Sequence, residues 1–196
     1  QPIREGLSCI KGALDPSEEF EPSTSNRTFK LVMGDYGELL LLPVLLSMFE
    51  QHGKDLKIQT LSEREEPNRN LVRKAQVDLH FDYRMPNDEH LEYCKLADVE
   101  LVVIVKKNHP RLKAKLSVDD YLQERHLVYA THQMQLTGLE RILEAKKRIP
   151  RRALAEVTQI SAIPNLVEQT EGIATMPRPV AEHYARYHNI QLFSFP

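Results

Sequence analysis

From Thr28 to the end of the chain the apolar positions change period repeatedly, and each change marks an element. Phe29, Leu31 and Met33 alternate with Lys30 and Val32, the two-residue period of a strand. Leu39, Leu42, Leu46 and Phe49 then recur at helical spacing. Pro43 within that helix either falls in a first turn or kinks it. Beyond it the pattern predicts a strand over 56–61, a short helix over 67–75 and a strand over 77–83. Two closely connected runs, "HLEYCKL" and "VELVVIV", read as adjacent strands crossing the molecule, with Asn108-His109-Pro110 as a turn after them.

A second cycle starts with the short helix "SVDDYL", opened by Ser117 as N-cap with Asp120 three residues on. "HLVYA" is then a strand, 137–147 a helix, "RALAEV" a strand and 161–170 a helix. "GIATM" (strand), 178–187 (helix) and "IQLFSF" (strand) complete the cycle. This order predicts an α/β fold with largely parallel sheets, and a full strand-helix cycle on each side of residue 106 predicts two lobes. At the other end, Ile3, Leu7, Ile10 and Leu14 follow a 4-3-4 spacing, that of a coiled-coil seam or a short surface helix. Residues 15–26, rich in Glu, Ser and Pro, read as a linker.

Composition narrows the functional classes. The 196 residues can bury a real core, and 41% apolar with 28% charged positions is ordinary globular usage. A net charge of −2 gives no overall basic footprint for nucleic acid. No apolar run reaches the roughly 20 residues of a membrane span, and the longest, Leu39 to Leu46, contains a proline. With no secretory signal after Gln1, a cytoplasmic home is expected, and Cys9 and Cys94 are expected to be reduced thiols. The enzyme motifs GxSxG, P-loop, GxGxxG and HExxH are absent, and no nucleophile stands beside a base. His183 and His188 are five apart, which misses the i, i+4 spacing of a helical metal pair. No catalysis, cofactor or metal is therefore expected. Lys146, Lys147, Arg148, Arg151 and Arg152 read as a helix end complementing its dipole before an exposed strand, with a phosphate-binding patch as the alternative.

In α/β lobes ligands sit beyond the carboxyl ends of the parallel strands. Four loops have that position: Gly34-Asp35-Tyr36-Gly37, Asp82-Tyr83-Arg84, Thr131-His132-Gln133 and Gln159-Ile160-Ser161; the "GIATMP" strand adds Thr175 and Met176. On pattern alone Asp35 is an N-cap or a ligand contact, and Tyr36 a stacking platform or a surface aromatic. Arg84 is a bidentate carboxylate clamp or a plain exposed arginine. Ser161 is expected to cap a helix and also to donate into the site, and Thr131 and Gln133 are turn residues or contacts.

Several stretches carry a family resemblance. "FEPSTSNRTFKLVMGDYGELLLLPVLLSMFEQ" resembles the start of the effector-binding domain of LysR-type transcriptional regulators, nearest the nodulation-regulator and LeuO-like subgroup. "VRKAQVDLHFDY", with Val77-Asp78-Leu79 at its centre, "LADVELVVIVKKNHPRLKAKLSVDDYLQERHLVY" and "VTQISAIPNLVEQTEGIATMPRPVAEHY" match later family elements in order. Together they cover nearly all of 26–196. The resemblance implies a two-lobed α/β fold of the type 2 periplasmic-binding-protein kind. It divides the chain into the tail of a linker helix (1–14), a linker (15–26), regulatory lobe I (27–105) and lobe II (106–196).

The resemblance further implies an effector cleft between the lobes, lined by Gly34, Asp35, Tyr36, Asp82, Arg84, Thr131, Gln133, Ile160, Ser161 and Thr175. The crossover strand Leu101 to Lys106 would be part of the hinge, and Asp82-Tyr83-Arg84, where the family has a small turn, would give a bulkier cleft wall. The expected partners are a small-molecule effector, with aromatic or carboxylated compounds the class to test, and further copies in a homodimer or homotetramer, with no membrane. DNA would be reached only through an N-terminal winged helix-turn-helix, which these residues do not include. The family's return strand and final helix of the first lobe are likewise not among them. A stand-alone solute-binding protein of the same fold is the alternative.

Overall fold

The computed structural model describes residues 20–61, 69–81, 89–129 and 151–196. The helices expected over 1–14 and 137–147, and the loops at 82–84 and 131–133, lie outside them.

The first sheet is built from β1 (Thr28–Val32), β2 (Lys57–Leu61) and β3 (Leu79–His80), in the order β2-β1-β3 and parallel throughout. The alternation that marked β1 fades at its carboxyl end, where Leu31, Val32 and Met33 are all buried. A parallel strand covered on both faces loses its polar face. Of the strand expected over 77–83, β3 takes Leu79–His80.

The single helix expected after β1 is two, α1 (Asp35–Leu40) and α2 (Leu42–His52), joined at Leu41. Pro43 sits in the first turn of α2, where its missing N–H costs no bond, and it cannot continue the ladder of α1. Gly37 is needed where α1 lies on β1: a Cβ there would come within 2.9 Å of the Met33 Cβ. Helix α2 packs through Phe49, whose ring is 5.7 Å from that of Phe29. It nevertheless buries no residue fully, and Val44, Leu46 and Met48 stay exposed along it.

After α3 (Arg69–Arg73) and β3 the chain reaches 91–100, which form no strand and are largely exposed, contrary to the strand expected at "HLEYCKL". Glu92, Lys95, Asp98 and Glu100 interrupt any apolar face, and Lys95 pairs with Asp98 at 2.6 Å instead. The strand that does form, β4 (Leu101–Lys106), lies in the second sheet, between β7 (Ala174–Pro177) and β8 (Ile190–Ser194) and antiparallel to both. The expectation of largely parallel sheets is thus corrected for this lobe. β5 (Arg125–Tyr129) and β6 (Arg152–Val157) pair in parallel. Leu127 N–H donates to the Ile173 carbonyl at 2.8 Å and Ile173 N–H to that of Arg125 at 2.9 Å, giving the order β6-β5-β7-β4-β8.

Both faces of this sheet are covered, which is why β4 reads as the unbroken run "LVVIV". On one face Val102, Ile104, Ala174 and Met176 meet α5 (Ile163–Gln169) and α6 (Arg178–Tyr184) through Ile163, Val167, Val180 and Ala181. On the other, Val103, Val105, Ile173 and Phe193 meet Leu112, Leu116 and Tyr121 of α4 (Val118–Gln123) and the loop before it. Helix α4 starts as its sequence predicts: Asp120 N–H donates to Ser117 Oγ at 3.1 Å and Ser117 N–H to Asp120 Oδ2 at 3.1 Å.

Candidate functional site

At the carboxyl end of β1 the chain turns at Gly34, whose extended backbone (φ −81°, ψ 175°) makes it the N-cap of α1 without any side-chain bond. Asp35 is therefore the first helical residue and caps nothing, which corrects the capping expectation. Its Oδ2 is buried and has no hydrogen-bond partner among the described residues.

Helix α1 then reaches across to the second sheet. Tyr36, Leu39 and Leu40 pack against the core cluster of β4, β7, α5 and α6. The helix lies alongside both α6 and the 3-10 turn Ile160–Ala162 that precedes α5. Two of the predicted loops, Gly34-Asp35-Tyr36 and Ile160-Ser161, are thereby brought to one wall from opposite ends of the chain. Burial raises the Tyr36 hydroxyl above its ordinary pKa. Tyr184 of α6 is raised too, first by burial and then by the charge of Asp35. Tyr184 belongs to the wall and was missed in the sequence, although it follows the fully buried Val180 and Ala181 at helical spacing.

Ile160 is buried in the core, and Ser161 is exposed within the 3-10 turn. Gln159 precedes that turn as its N-cap, and α5 begins only at Ile163, with Pro164 in its first turn, so Ser161 caps no helix. Thr175 faces the other way. Its hydroxyl is 2.9 Å from that of buried Tyr121, while its strand neighbours Ala174 and Met176 face α1. Asp82, Arg84, Thr131 and Gln133 lie outside the described residues.

A hollow of 280 Å³ lies elsewhere, beside α2, lined by Leu46, Phe49, Glu50, Lys54 and Leu56. It contains none of the candidate residues and no orphaned buried polar atom, so it is a weaker candidate than the α1 wall. Among the described residues no three His, Cys, Asp or Glu side chains gather to hold a metal. His188 is instead taken up by Glu168 at 2.8 Å.

With this geometry in hand, comparison decides the family. The family profile described as "LysR substrate binding domain" matches residues 23–196. The chain belongs to that family. Nodulation protein D 1 of Sinorhizobium fredii is 25% identical over 194 residues, covering 99% of this chain and 60% of the relative. The chain thus spans 60% of that relative's length. A probable transcriptional regulator from Pseudomonas aeruginosa superposes with a TM-score of 0.82 at 22% identity, over 100% of this chain and 66% of the other. The BenM effector-binding domain, solved with its effector benzoate, superposes with a TM-score of 0.70 at 18% identity, over 86% and 77% of the two chains. These likenesses show the fold, the two-lobed periplasmic-binding-protein-like α/β architecture of LysR effector-binding domains. No helix among the described residues is long and apolar enough to cross a membrane.

Proposed function

We propose that this LysR-family chain is the effector-sensing and oligomerisation domain of a cytoplasmic DNA-binding transcriptional regulator. The observation that carries the reading is the placement of α1: it starts at the end of the first sheet's central strand and packs on the second lobe beside the 3-10 turn and α6. A small molecule held there touches both lobes at once. If it binds one lobe arrangement more tightly than another, it shifts the population between them, and only that difference in affinity does work. Asp82, Arg84, Thr131 and Gln133 are assigned to the remaining walls of the cleft. The hinge is placed in 91–100 rather than in β4, because β4 is paired on both edges and buried through Val102 to Val105. Benzoate in the BenM structure makes aromatic and carboxylated compounds the first to screen. Relatives such as the HTH-type transcriptional activator NagR of a Ralstonia species favour the regulator over a stand-alone solute-binding protein.

A thermal-shift screen against small aromatics and carboxylates tests the site. A hit should lose at least about tenfold in affinity, about 1.4 kcal/mol, in Tyr36→Ala. Unchanged affinity in that variant places the ligand elsewhere.

Self-association into a homodimer or homotetramer is the proposed output, transmitted to DNA by a winged helix-turn-helix outside these residues. The exposed Val44, Leu46 and Met48 of α2 offer apolar area that a second copy would bury. Leu46→Glu should raise the monomer fraction in sedimentation equilibrium, and an unaltered distribution would move the interface off α2.

A further inference from the structure

We infer that Asp35 is a specificity-determining acceptor in the cleft: its carboxylate, one oxygen of which is buried without a partner, takes a hydrogen-bond donor, an ammonium or hydroxyl group, from an aromatic effector. The inference rests on the cleft reading above and adds the chemistry of its ligand.

An unpartnered carboxylate oxygen sealed from solvent is among the least favourable groups a fold can hold. The usual structural roles are already filled by others or missing. Gly34 is the N-cap and Asp35 follows it in the first turn, so the carboxylate favours the helix only through its dipole and makes no capping bond. Among the described residues Asp35 has no ion-pair partner, and Arg178 of neighbouring α6 is engaged by Glu100 at 2.6 and 2.8 Å. The groups Asp35 does approach on the second lobe include Tyr184, whose hydroxyl its charge disfavours ionising. An acceptor next to Tyr36 in the chain, and near enough to Tyr184 for its charge to act on that hydroxyl, suits an aromatic ligand bearing a donor. A ligand carboxylate in the same place would meet a like charge. Such an orphan persists where function, not stability, holds it.

The test measures binding of benzylamine, benzyl alcohol and benzoate to the chain by calorimetry, in the unaltered protein, in Asp35→Asn and in Tyr36→Ala. The expected result is that benzylamine or benzyl alcohol binds at least about tenfold tighter than benzoate and loses that advantage in Asp35→Asn. The same substitution is expected not to lower Tm, because the buried Oδ2 has no hydrogen bond to lose. A purely structural Asp35 predicts the reverse, a lower Tm with ligand preference unchanged, and that outcome overturns the inference. If benzoate binds as tightly as the donor probes and Tyr36→Ala weakens it, the cleft stands and the donor assignment falls. Binding insensitive to both substitutions overturns both.

Discussion

Replacing Arg111 with methionine is expected to destabilise the chain by about 2–3 kcal/mol, read as a lower urea midpoint with an unchanged slope. The guanidinium forks onto Glu124, Nε to Oε1 at 2.7 Å and Nη2 to Oε2 at 2.8 Å, and its third nitrogen reaches Glu171 Oε2 at 2.8 Å. Arg111 is half exposed, yet the Glu124 side chain is only 7% accessible, so removing the arginine leaves a nearly buried carboxylate unpaired. The bonds from Arg111 hold the carboxyls of both Glu124 and Glu171 below their ordinary pKa. The network ties the loop after β4, the end of α4 and the approach to β7 into one unit. His109 completes it, its Nδ1 accepting from Leu112 N–H at 3.2 Å while Nε2 donates to the Glu171 carbonyl at 3.1 Å. Adding Glu124→Gln to Arg111→Met should recover part of the loss, since the orphaned charge is then gone. Arg111→Lys should recover little, because an ammonium cannot make the fork. A loss below about 0.5 kcal/mol in Arg111→Met would show that water satisfies Glu124 instead.

Acid is expected to weaken the same lobe through a buried histidine. His126 of β5 is fully buried, with Nε2 2.7 Å from the Tyr121 carbonyl and its ring 4.6 Å from that of Tyr121. A carbonyl only accepts, so the neutral ring carries its proton on Nε2 and leaves Nδ1 bare. Nδ1 is buried without a partner among the described residues. A second proton would have to sit there unsatisfied. Burial pushes the imidazole down to about 4, helped by the positive charge of Arg151 and opposed by the Tyr121 carbonyl and Glu124. Unfolded, the same ring titrates near 6.5. Between those values the unfolded chain holds more protons, so stability rises with pH: it is complete above 6.5 and is lost as the pH falls toward 4. The full loss is about 3 kcal/mol. Carboxylates such as Glu124 and Glu171 contribute only below about 4.5, where their unfolded forms take protons. Urea unfolding at pH 7, 6 and 5 should show the decline, and His126→Gln should flatten it. An equal slope in that variant would assign the decline to another group.

How much of this was legible in the sequence depended on whether local physics or tertiary pairing decides. The Ser117–Asp120 cap and the strand at "LVVIV" follow from residues within one turn or one strand, and the first turn of a helix was one of the two places open to Pro43. The loops at Gly34–Tyr36 and Ile160–Ser161 were named because α/β topology puts ligand positions at strand carboxyl ends, and α1 does lie alongside the 3-10 turn. The antiparallel setting of β4 was hidden, since strand direction is fixed by partners far along the chain. "HLEYCKL" carries Leu91, Tyr93 and Leu96, but Glu92, Lys95, Asp98 and Glu100 leave the segment no apolar face to bury. The outward turn of Thr175 toward Tyr121 depends on the phase of β7 against β4, where one residue of register exchanges faces. Tyr184 lies at helical spacing from Val180 and Ala181, a pattern that marks a core face, while its neighbour α1 belongs to the other sheet and only the tertiary structure brings the two together.

The most direct test of an effector cleft at the α1 wall is an amide chemical-shift map of the isotopically labelled chain with a binder from the screen. The largest shifts are expected together at Gly34–Gly37 and Ile160–Ala162, loops of the two different sheets, with Val44 to His52 of α2 nearly unmoved. Shifts gathered instead around Leu46, Phe49, Lys54 and Leu56, the hollow beside α2, would contradict it.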